Sequence, residues 1–127
     1  MTKIDGERVR GALHAAGQGT TGRIGVHVTH SRVANALDDA RAHFKRARLH
    51  EHPDANAVLF LVAPASRSLA VYGGDAIHAR VGDAFWQQLV TDMTGFFAQD
   101  RPTDGLVAGI ERVGHELKLH FPAAVNA

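Results

Sequence analysis

The sequence predicts an α/β fold: a three-layer α/β/α sandwich with a small mixed sheet, in the element order α-β-α-β-β-α-α. Three observations lead to this fold class. The run "AVLFLVA" at 57–63 is continuously apolar, which is typical of a strand covered on both faces. Apolar residues spaced three and four apart precede and follow that strand, as in helices packed on a sheet. A length of 127 residues with 45% hydrophobic residues suits one core, so we expect a single domain over 1–127.

The first half of the chain predicts a helix, a strand and a second helix. Residues 4–16 place apolar side chains on one helical face, and Gly17 is suited to end that helix. Residues 23–29, "RIGVHVT", alternate apolar with other side chains and predict a strand with one buried face. Ser31 is a candidate N-cap for the second helix. That helix carries apolar residues at spacings of four, three, four and three, namely Val33, Leu37, Ala40, Phe44 and Ala47.

The connections between the strands predict how they pair. The polar segment 49–56 is a predicted loop that leads into the strand at 57–63. A short turn at 64–67 precedes a strand at 68–72, and so short a connection requires these two strands to be antiparallel neighbours. The strands at 23–29 and 57–63 are joined through a helix, so they should be parallel, with a right-handed crossover. The sheet should therefore be mixed.

Two further helices complete the predicted fold. One covers about 84–98, and Asp83 is suited to be its N-cap. The last covers about 102–117, and its first residue is a proline, which suits the first helical turn. Gly105 and Gly109 lie four apart on this last helix. We interpret them as positions of close packing against another part of the same chain.

The segment "GQGTTG" at 17–22 fits the glycine pattern G-x-G-x-x-G of dinucleotide-binding turns. That pattern binds a pyrophosphate only when a strand precedes the glycines and a helix follows them, because the phosphates meet the helix N-terminus. Here the order is inverted, since a predicted helix precedes the glycines and a strand follows. We therefore expect a helix stop and a turn, and no dinucleotide.

Composition excludes several classes of function. Fourteen lysines and arginines stand against 13 acidic residues, so we expect no nucleic-acid partner, which would call for a clear basic excess. The absence of cysteine excludes disulfides and cysteine nucleophiles. The longest apolar run, at 57–65, is far short of the ~20 residues that span a bilayer, and the N-terminus lacks the pattern of a signal peptide. We expect a cytoplasmic protein without a transmembrane segment.

Four segments carry a family resemblance through their order and spacing: "NAVLFLVA" at 56–63, "YGGDAIHARVGDAFW" at 72–86, "DGLVAGIERVGHEL" at 104–117 and "HFP" at 120–122. With them the chain resembles the TPM domain family, in its short soluble bacterial form. The family also includes plant thylakoid-lumen proteins tied to photosystem II repair. The resemblance implies a Rossmann-like α/β/α sandwich. From some members it also implies acid phosphatase activity and calcium binding.

The same resemblance points to one edge of the sheet as the site. The family commonly has Gly-Glu-Ile at its first strand, where this chain has Arg23 in the place of the glutamate. The later turn is commonly Tyr-Gly-Asp-x-Gly-Ile, where this chain has Gly73, Gly74 and then Asp75. Because the third strand is antiparallel to the others, its end should lie where the first two begin. We expect Arg23, Asn56, Gly73, Gly74 and Asp75 to gather there.

Two hypotheses describe the chemistry of that edge. Asp75 and Asp83 could act as ligands of Ca²⁺, which takes several oxygen ligands at 2.3–2.6 Å. In the other hypothesis no metal is bound, and Arg23 either forms an ion pair with Asp75 or faces solvent, as Asp75 then also does. A separate anion-binding site is expected at the opposite end of the strands, where open α/β sheets usually bind ligands. Its candidate residues are His30, Arg32 and Ser66.

Two functions from different classes follow from these observations. The first is a non-enzymatic TPM domain that acts through contacts with a protein partner in bacterial envelope or stress physiology. The second is a metal-assisted acid phosphatase that resembles the plant members of the family. The number of carboxylates at the sheet edge separates the two, because phosphoryl chemistry with a metal needs several oxygen ligands around the ion.

Overall fold

The computed structural model of the protein describes residues 3–124, and its helices and strands follow the predicted order. In chain order the elements are α1 (Gly6–Gly17), β1 (Arg23–Val28), α2 (Ala36–Arg46), β2 (Ala57–Ala63), β3 (Ser68–Gly73), α3 (Asp75–Ala98) and α4 (Pro102–His120). Short 3-10 turns in the connections cover Leu49–Glu51, Pro53–Ala55 and Pro64–Ser66.

The sheet has three strands, and β2 is the central one. It pairs in parallel with β1 and antiparallel with β3, which confirms the predicted mixed sheet. The register places Arg23 beside Ala57 and Gly73 beside Val58. Every residue of β2 is buried, as its continuous apolar run predicts. β1 and β3 are the two edge strands.

The side chains of β2 alternate between two packed layers, which makes the fold a three-layer sandwich. On one face Val58, Phe60 and Val62 join a large cluster with α1, α3 and α4. On the other face smaller clusters join β2 and β3 to α2 and to the turn that follows it. Their buried members are Ala40, Phe44, Leu49, Ala57, Leu59, Leu61, Ala63 and Ala70. The period of two along a strand produces this division.

α4 is the central helix of the thicker layer, and it packs between α1 and α3. A Cβ atom at Gly105 would lie 2.8 Å from the Cβ of Phe96, and one at Gly109 would lie 3.0 Å from Cε1 of Phe60. Both distances are too short for contacts between carbon atoms. The two glycines therefore let α4 approach α3 and the sheet closely, which confirms their interpretation as positions of internal packing.

The "GQGTTG" segment is the connection from α1 to β1, as its inverted order predicts. The hydroxyl group of Thr20 lies 2.6 Å from the carbonyl oxygen of Phe121 and 3.0 Å from that of Leu117, and it accepts a hydrogen bond from the Gly22 amide. A Cβ atom at Gly22 would lie 2.6 Å from Cδ2 of Leu117. This connection therefore packs against and caps the C-terminal end of α4.

The prediction that Ser31 caps α2 is wrong. The helix begins at Ala36, and the side chain of Asn35 accepts a hydrogen bond from the amide of Asp38 at 3.1 Å. The residues before it continue the sheet and then form a loop, in which the amide of Val33 donates to Oγ of Ser66 at 2.8 Å. Asparagine and serine are comparable N-caps, so the N-cap preference alone does not distinguish them. The contact of the loop with Ser66 places the N-cap of the helix at Asn35 instead of Ser31.

The sequence did not predict the helical segment that precedes the expected start of α3. The element begins at Asp75, about nine residues before the expected position, with Gly74 as its N-cap. Gly82 interrupts it with φ 79° and ψ 168°, a conformation that glycine adopts readily. The helix predicted over 84–98 is the part that follows this break. Asp83 therefore follows the break directly, and its carboxylate lies 3.3 Å from Nε2 of His78.

We expect Gly114→Ala to lower the free energy of unfolding by about 1–2 kcal/mol. A Cβ atom at Gly114 would lie 2.7 Å from the Cβ of Ala16 on α1, and overpacking costs more than the gain in helix propensity. Gly11→Ala on α1 is the matched control, because no atom lies within 4 Å of a Cβ there, and it should stabilise by about 0.5–1 kcal/mol. Urea unfolding measures both. A stabilising Gly114→Ala would contradict the close α1–α4 contact.

Candidate functional site

The structure brings the predicted site residues to one edge of the sheet, which we name the sheet rim: Arg23, Asn56, Gly73, Gly74 and Asp75. The register explains this, because β1 and β2 begin there and β3 ends there. The amide of Gly74 donates to the carbonyl oxygen of Ala57 at 2.8 Å, which continues the β2–β3 ladder to the first turn of α3.

Asn56 holds two loops together at the sheet rim. Its side chain is fully buried, and its amide group donates to Oγ1 of Thr21 at 3.0 Å. The ring of His52 contacts the carbonyl oxygen of the same threonine at 2.9 Å. Oδ1 of Asn56 is buried without a hydrogen-bond partner among residues 3–124. The sheet rim therefore contains one buried amide oxygen that no protein group in this range uses as an acceptor.

Gly74 occupies the position where the family pattern has an aspartate, and a side chain does not fit there. A Cβ atom would lie 2.5 Å from the carbonyl oxygen of Ala55 and 2.9 Å from its carbon. These are backbone atoms, which cannot turn aside as a flexible side chain can. An acid at this position would require the segment around Ala55, whose φ is 50°, to move.

The predicted ion pair between Arg23 and Asp75 is wrong. Within residues 3–124 the ion pairs do not include this one, and the side chains of both residues are exposed. The strand order gives the reason. Arg23 begins β1 and Asp75 follows β3, and these strands flank β2, so their backbones are roughly 10 Å apart.

The donor set at the sheet rim does not fit a calcium ion. Asp75 supplies one carboxylate and Asn56 one amide oxygen, whereas Ca²⁺ takes six to eight oxygen ligands. Asp83 faces His78 instead of the sheet rim. The exposed guanidinium of Arg23 adds a positive charge at this edge. Within 3–124, the histidine and acidic side chains form no group of three or more that could hold a metal ion.

A groove that the sequence did not predict lies beside the sheet rim, along the outer edge of β3. We name it the β3 groove. It has a volume of about 410 Å³ and lies between α2 and α3. Its lining residues are Leu37 and Arg41 of α2, Val71, Tyr72 and Gly73 of β3, and Asp75, His78, Asp83, Trp86 and Gln87 of α3.

On the α3 wall of the β3 groove, His78 contacts both Trp86 and Asp83. Nε1 of Trp86 donates to Nδ1 of His78 at 3.0 Å, so the neutral imidazole carries its proton on Nε2. That nitrogen faces Oδ1 of Asp83 at 3.3 Å. Nδ1 of His78 is thus occupied by the indole, while Nε2 lies near a carboxylate that is 82% exposed.

The α2 wall is apolar and positively charged. Leu37 is 46% exposed, and within residues 3–124 the other exposed large hydrophobic residue is Leu119. The guanidinium group of Arg41 lies 5.8 Å from the ring centroid of Tyr72, within the range of a cation–π interaction. The two walls therefore differ in charge: a cation stands on α2, while Asp75 and Asp83 stand on α3.

The opposite end of the strands holds the residues expected to bind an anion. Oγ of Ser66 already accepts the Val33 amide, as described above. The side chains of His30 and Arg32 are exposed on the same connection. The structure therefore places the three residues in one region, but the hydroxyl oxygen of Ser66 is already bonded to the backbone of the loop before α2.

Two histidines stack on the α2 side of the sheet. The rings of His27 on β1 and His43 on α2 have centroids 3.9 Å apart and an interplanar angle of 17°. Burial lowers the pKa of His43, and the nearby His27 and Arg46 lower it further. The neutral form of His43 is therefore favoured in the folded state.

We expect acid to destabilise the protein through His43. Its folded pKa lies below its unfolded value near ~6.5, so the unfolded state binds more protons in this range. The contribution of His43 to the free energy of unfolding should be fully present well above pH 6.5 and should be lost progressively as the pH falls from there towards 5. His43→Gln should reduce this slope, whereas His50→Gln, on the exposed turn, is the matched control. Equal slopes for the two variants, measured by urea unfolding, would contradict the assignment.

Residues 1–116 match the sequence model of the TPM domain. The fold is similar to the NMR structure of BA42 from the psychrophilic bacterium Bizionia argentinensis, with a TM-score of 0.83 and 28% identity over 95% of this chain and 86% of that chain. It is also similar to the N-terminal domain of a protein from P. gingivalis, with a TM-score of 0.78 and 15% identity over 97% of this chain and 83% of that chain. For the N-terminal domain of cg2496 from Corynebacterium glutamicum, the TM-score is 0.69, with 15% identity over 91% and 74% of the two chains.

The search of curated proteins found no match to this chain. None of the helices described within residues 3–124 is long and apolar enough to cross a membrane.

Proposed function

Because the chain belongs to the TPM domain family, we propose that it is a non-catalytic member that binds a protein partner through the β3 groove. The observation that carries this proposal is the composition of the groove. An exposed leucine, Leu37, stands beside Arg41, Tyr72 and Trp86 in one cleft. Tyrosine, tryptophan and arginine are the residue types that contribute most to binding at protein interfaces.

The charges of the groove support the same function. Arg41 stands on one wall, and Asp75 and Asp83 stand on the other. Walls of opposite charge orient a bound partner and favour one register over others. The hydrogen bond from Trp86 to His78 holds these two side chains of the α3 wall in one arrangement, which lowers the entropy cost of binding.

The proposal is tested by panning a random peptide library, displayed on phage, against the whole immobilised chain. We expect enriched peptides whose binding shifts the NMR signals of the groove residues. Leu37→Gln should weaken their binding about tenfold, because it removes an exposed apolar contact. Leu119→Gln is the matched control, since Leu119 is 63% exposed and lies outside the groove. No enrichment, or equal weakening by the two variants, would contradict the proposal.

A metal-assisted phosphatase is the second candidate function. Its support in this chain is the buried, unpartnered Oδ1 of Asn56, at the same edge of the sheet as Asp75. A thermal melt with EDTA or with ~1 mM Ca²⁺, Mg²⁺, Mn²⁺ or Zn²⁺ separates the candidates. A metal at ~100 times its Kd adds ~2.7 kcal/mol, or several degrees of Tm.

We expect no metal-specific shift of the Tm for the wild-type chain, because the sheet rim supplies one carboxylate beside an exposed arginine. Arg23→Gln tests whether the charge of Arg23 prevents metal binding, since the substitution removes that charge at an exposed position and should leave the fold intact. A calcium-specific shift in the wild type that is lost in Asp75→Asn, together with hydrolysis of p-nitrophenyl phosphate, would favour the phosphatase.

A further inference from the structure

The outer edge of β3 presents unpaired backbone groups to the β3 groove. The amide of Gly74 bonds to the carbonyl oxygen of Ala57, and hydrogen-bonded pairs alternate along an antiparallel ladder. Tyr72 and Ala70 therefore bond to β2. Leu69, Val71 and Gly73 direct their amide and carbonyl groups away from it, and within residues 3–124 these groups have no backbone partner.

These groups are spaced for pairing with one more strand. Leu69 and Gly73 are four residues apart, so the free edge extends over roughly 14 Å. Val71 and Gly73 line the groove itself. An extended peptide in the groove would satisfy its own backbone groups on this edge, which is the basis of recognition by strand addition.

The side chains of such a strand would alternate between the two walls. Side chains that face α2 would contact Leu37. A basic side chain on this side would be repelled by the positive charge of Arg41. Those that face α3 would meet the carboxylates of Asp75 and Asp83. Charge complementarity therefore favours basic residues towards α3, whereas Leu37 and the repulsion by Arg41 favour apolar over basic residues towards α2.

We infer that the partner of the β3 groove is an extended segment of about five residues, alternately apolar and basic, which adds to β3 as a fourth strand. This inference rests on the proposed function and names the chemistry of its partner. A second copy of this chain is a poorer occupant. The edge lies at the bottom of a groove between α2 and α3, and a copy would bring its own two helices alongside its own β3.

The probe is a capped octapeptide of alternating lysine and valine, added to the full chain and followed by NMR. We expect slower hydrogen exchange at the amides of Leu69, Val71 and Gly73, and unchanged exchange at Ala70 and Tyr72. A peptide of alternating glutamate and valine should bind at least about fivefold more weakly. Raising the salt concentration should weaken the lysine peptide.

N-methylation of the peptide tests for strand addition directly. Methyl groups on all the valines or on all the lysines remove alternate amide donors, and only one of these sets faces β3. One methylated peptide should lose binding and the other should keep it. Equal binding by both, or exchange protection outside β3, would overturn the inference.

Asp83→Asn tests the charge of the α3 wall without removing its hydrogen-bond acceptor. The side chain of Asp83 is 82% exposed, so the fold should be unaffected. The variant should weaken the lysine peptide by a few fold, whereas Glu111→Gln, on the exposed face of α4, should not. Equal effects would contradict the charge assignment.

The outcomes also separate this inference from the proposed function. If the phage library yields peptides that bind the groove while the lysine and valine peptide does not bind, only the inferred chemistry is wrong. If neither binds the groove, both proposals are wrong. A dimer in analytical ultracentrifugation that Leu37→Gln dissociates would show that a second copy is the occupant.

Discussion

The close approach of α4 to its neighbours is the packing constraint on which the rest of the structure depends. Leu106, Ile110, Val113 and Leu117 are fully buried against the sheet and the flanking helices. Glycines replace side chains where α1, α3 and Phe60 come nearest. Because interiors are close-packed, a larger residue at these positions would displace a whole helix. The position of α4 therefore fixes that of α3, and with it one wall of the β3 groove.

The end of α4 also determines the structure of the sheet rim. Thr20 caps the last turn of the helix. The next residue, Thr21, accepts a hydrogen bond from Asn56 at its hydroxyl group, and its carbonyl oxygen contacts the ring of His52. The edge that the family resemblance marks as a site is thus, in this chain, a junction of three connections. A carboxylate at Gly74 would disturb that junction, because the Ala55 carbonyl group occupies the space. The same contacts that stabilise the fold leave little freedom for metal ligands here.

The sequence predicted which helices and strands form better than it predicted where they begin or how far apart their residues lie. The apolar run of β2 and the short turn after it predicted the pairing of β2 with β3. A strand that is buried on both faces lies inside the sandwich. A connection as short as this turn joins antiparallel neighbours. The start of α3 was missed because the positive φ of Gly82 interrupts the helical period. The Arg23–Asp75 pair was wrong because a shared edge does not specify how many strands lie between two residues. The β3 groove was missed because it depends on the separation of α2 and α3 across an edge strand.

The pair of glycines after Tyr72 serves two different purposes in this structure. At Gly74 the missing side chain admits the carbonyl group of Ala55. At Gly73 it admits the indole of Trp86, since a Cβ atom there would lie 2.7 Å from Cζ2 of the ring. The tryptophan can therefore lie across the end of β3 and donate to His78 at the groove wall. A sequence motif associated with an acidic site in the family thus builds, in this chain, one wall of the β3 groove.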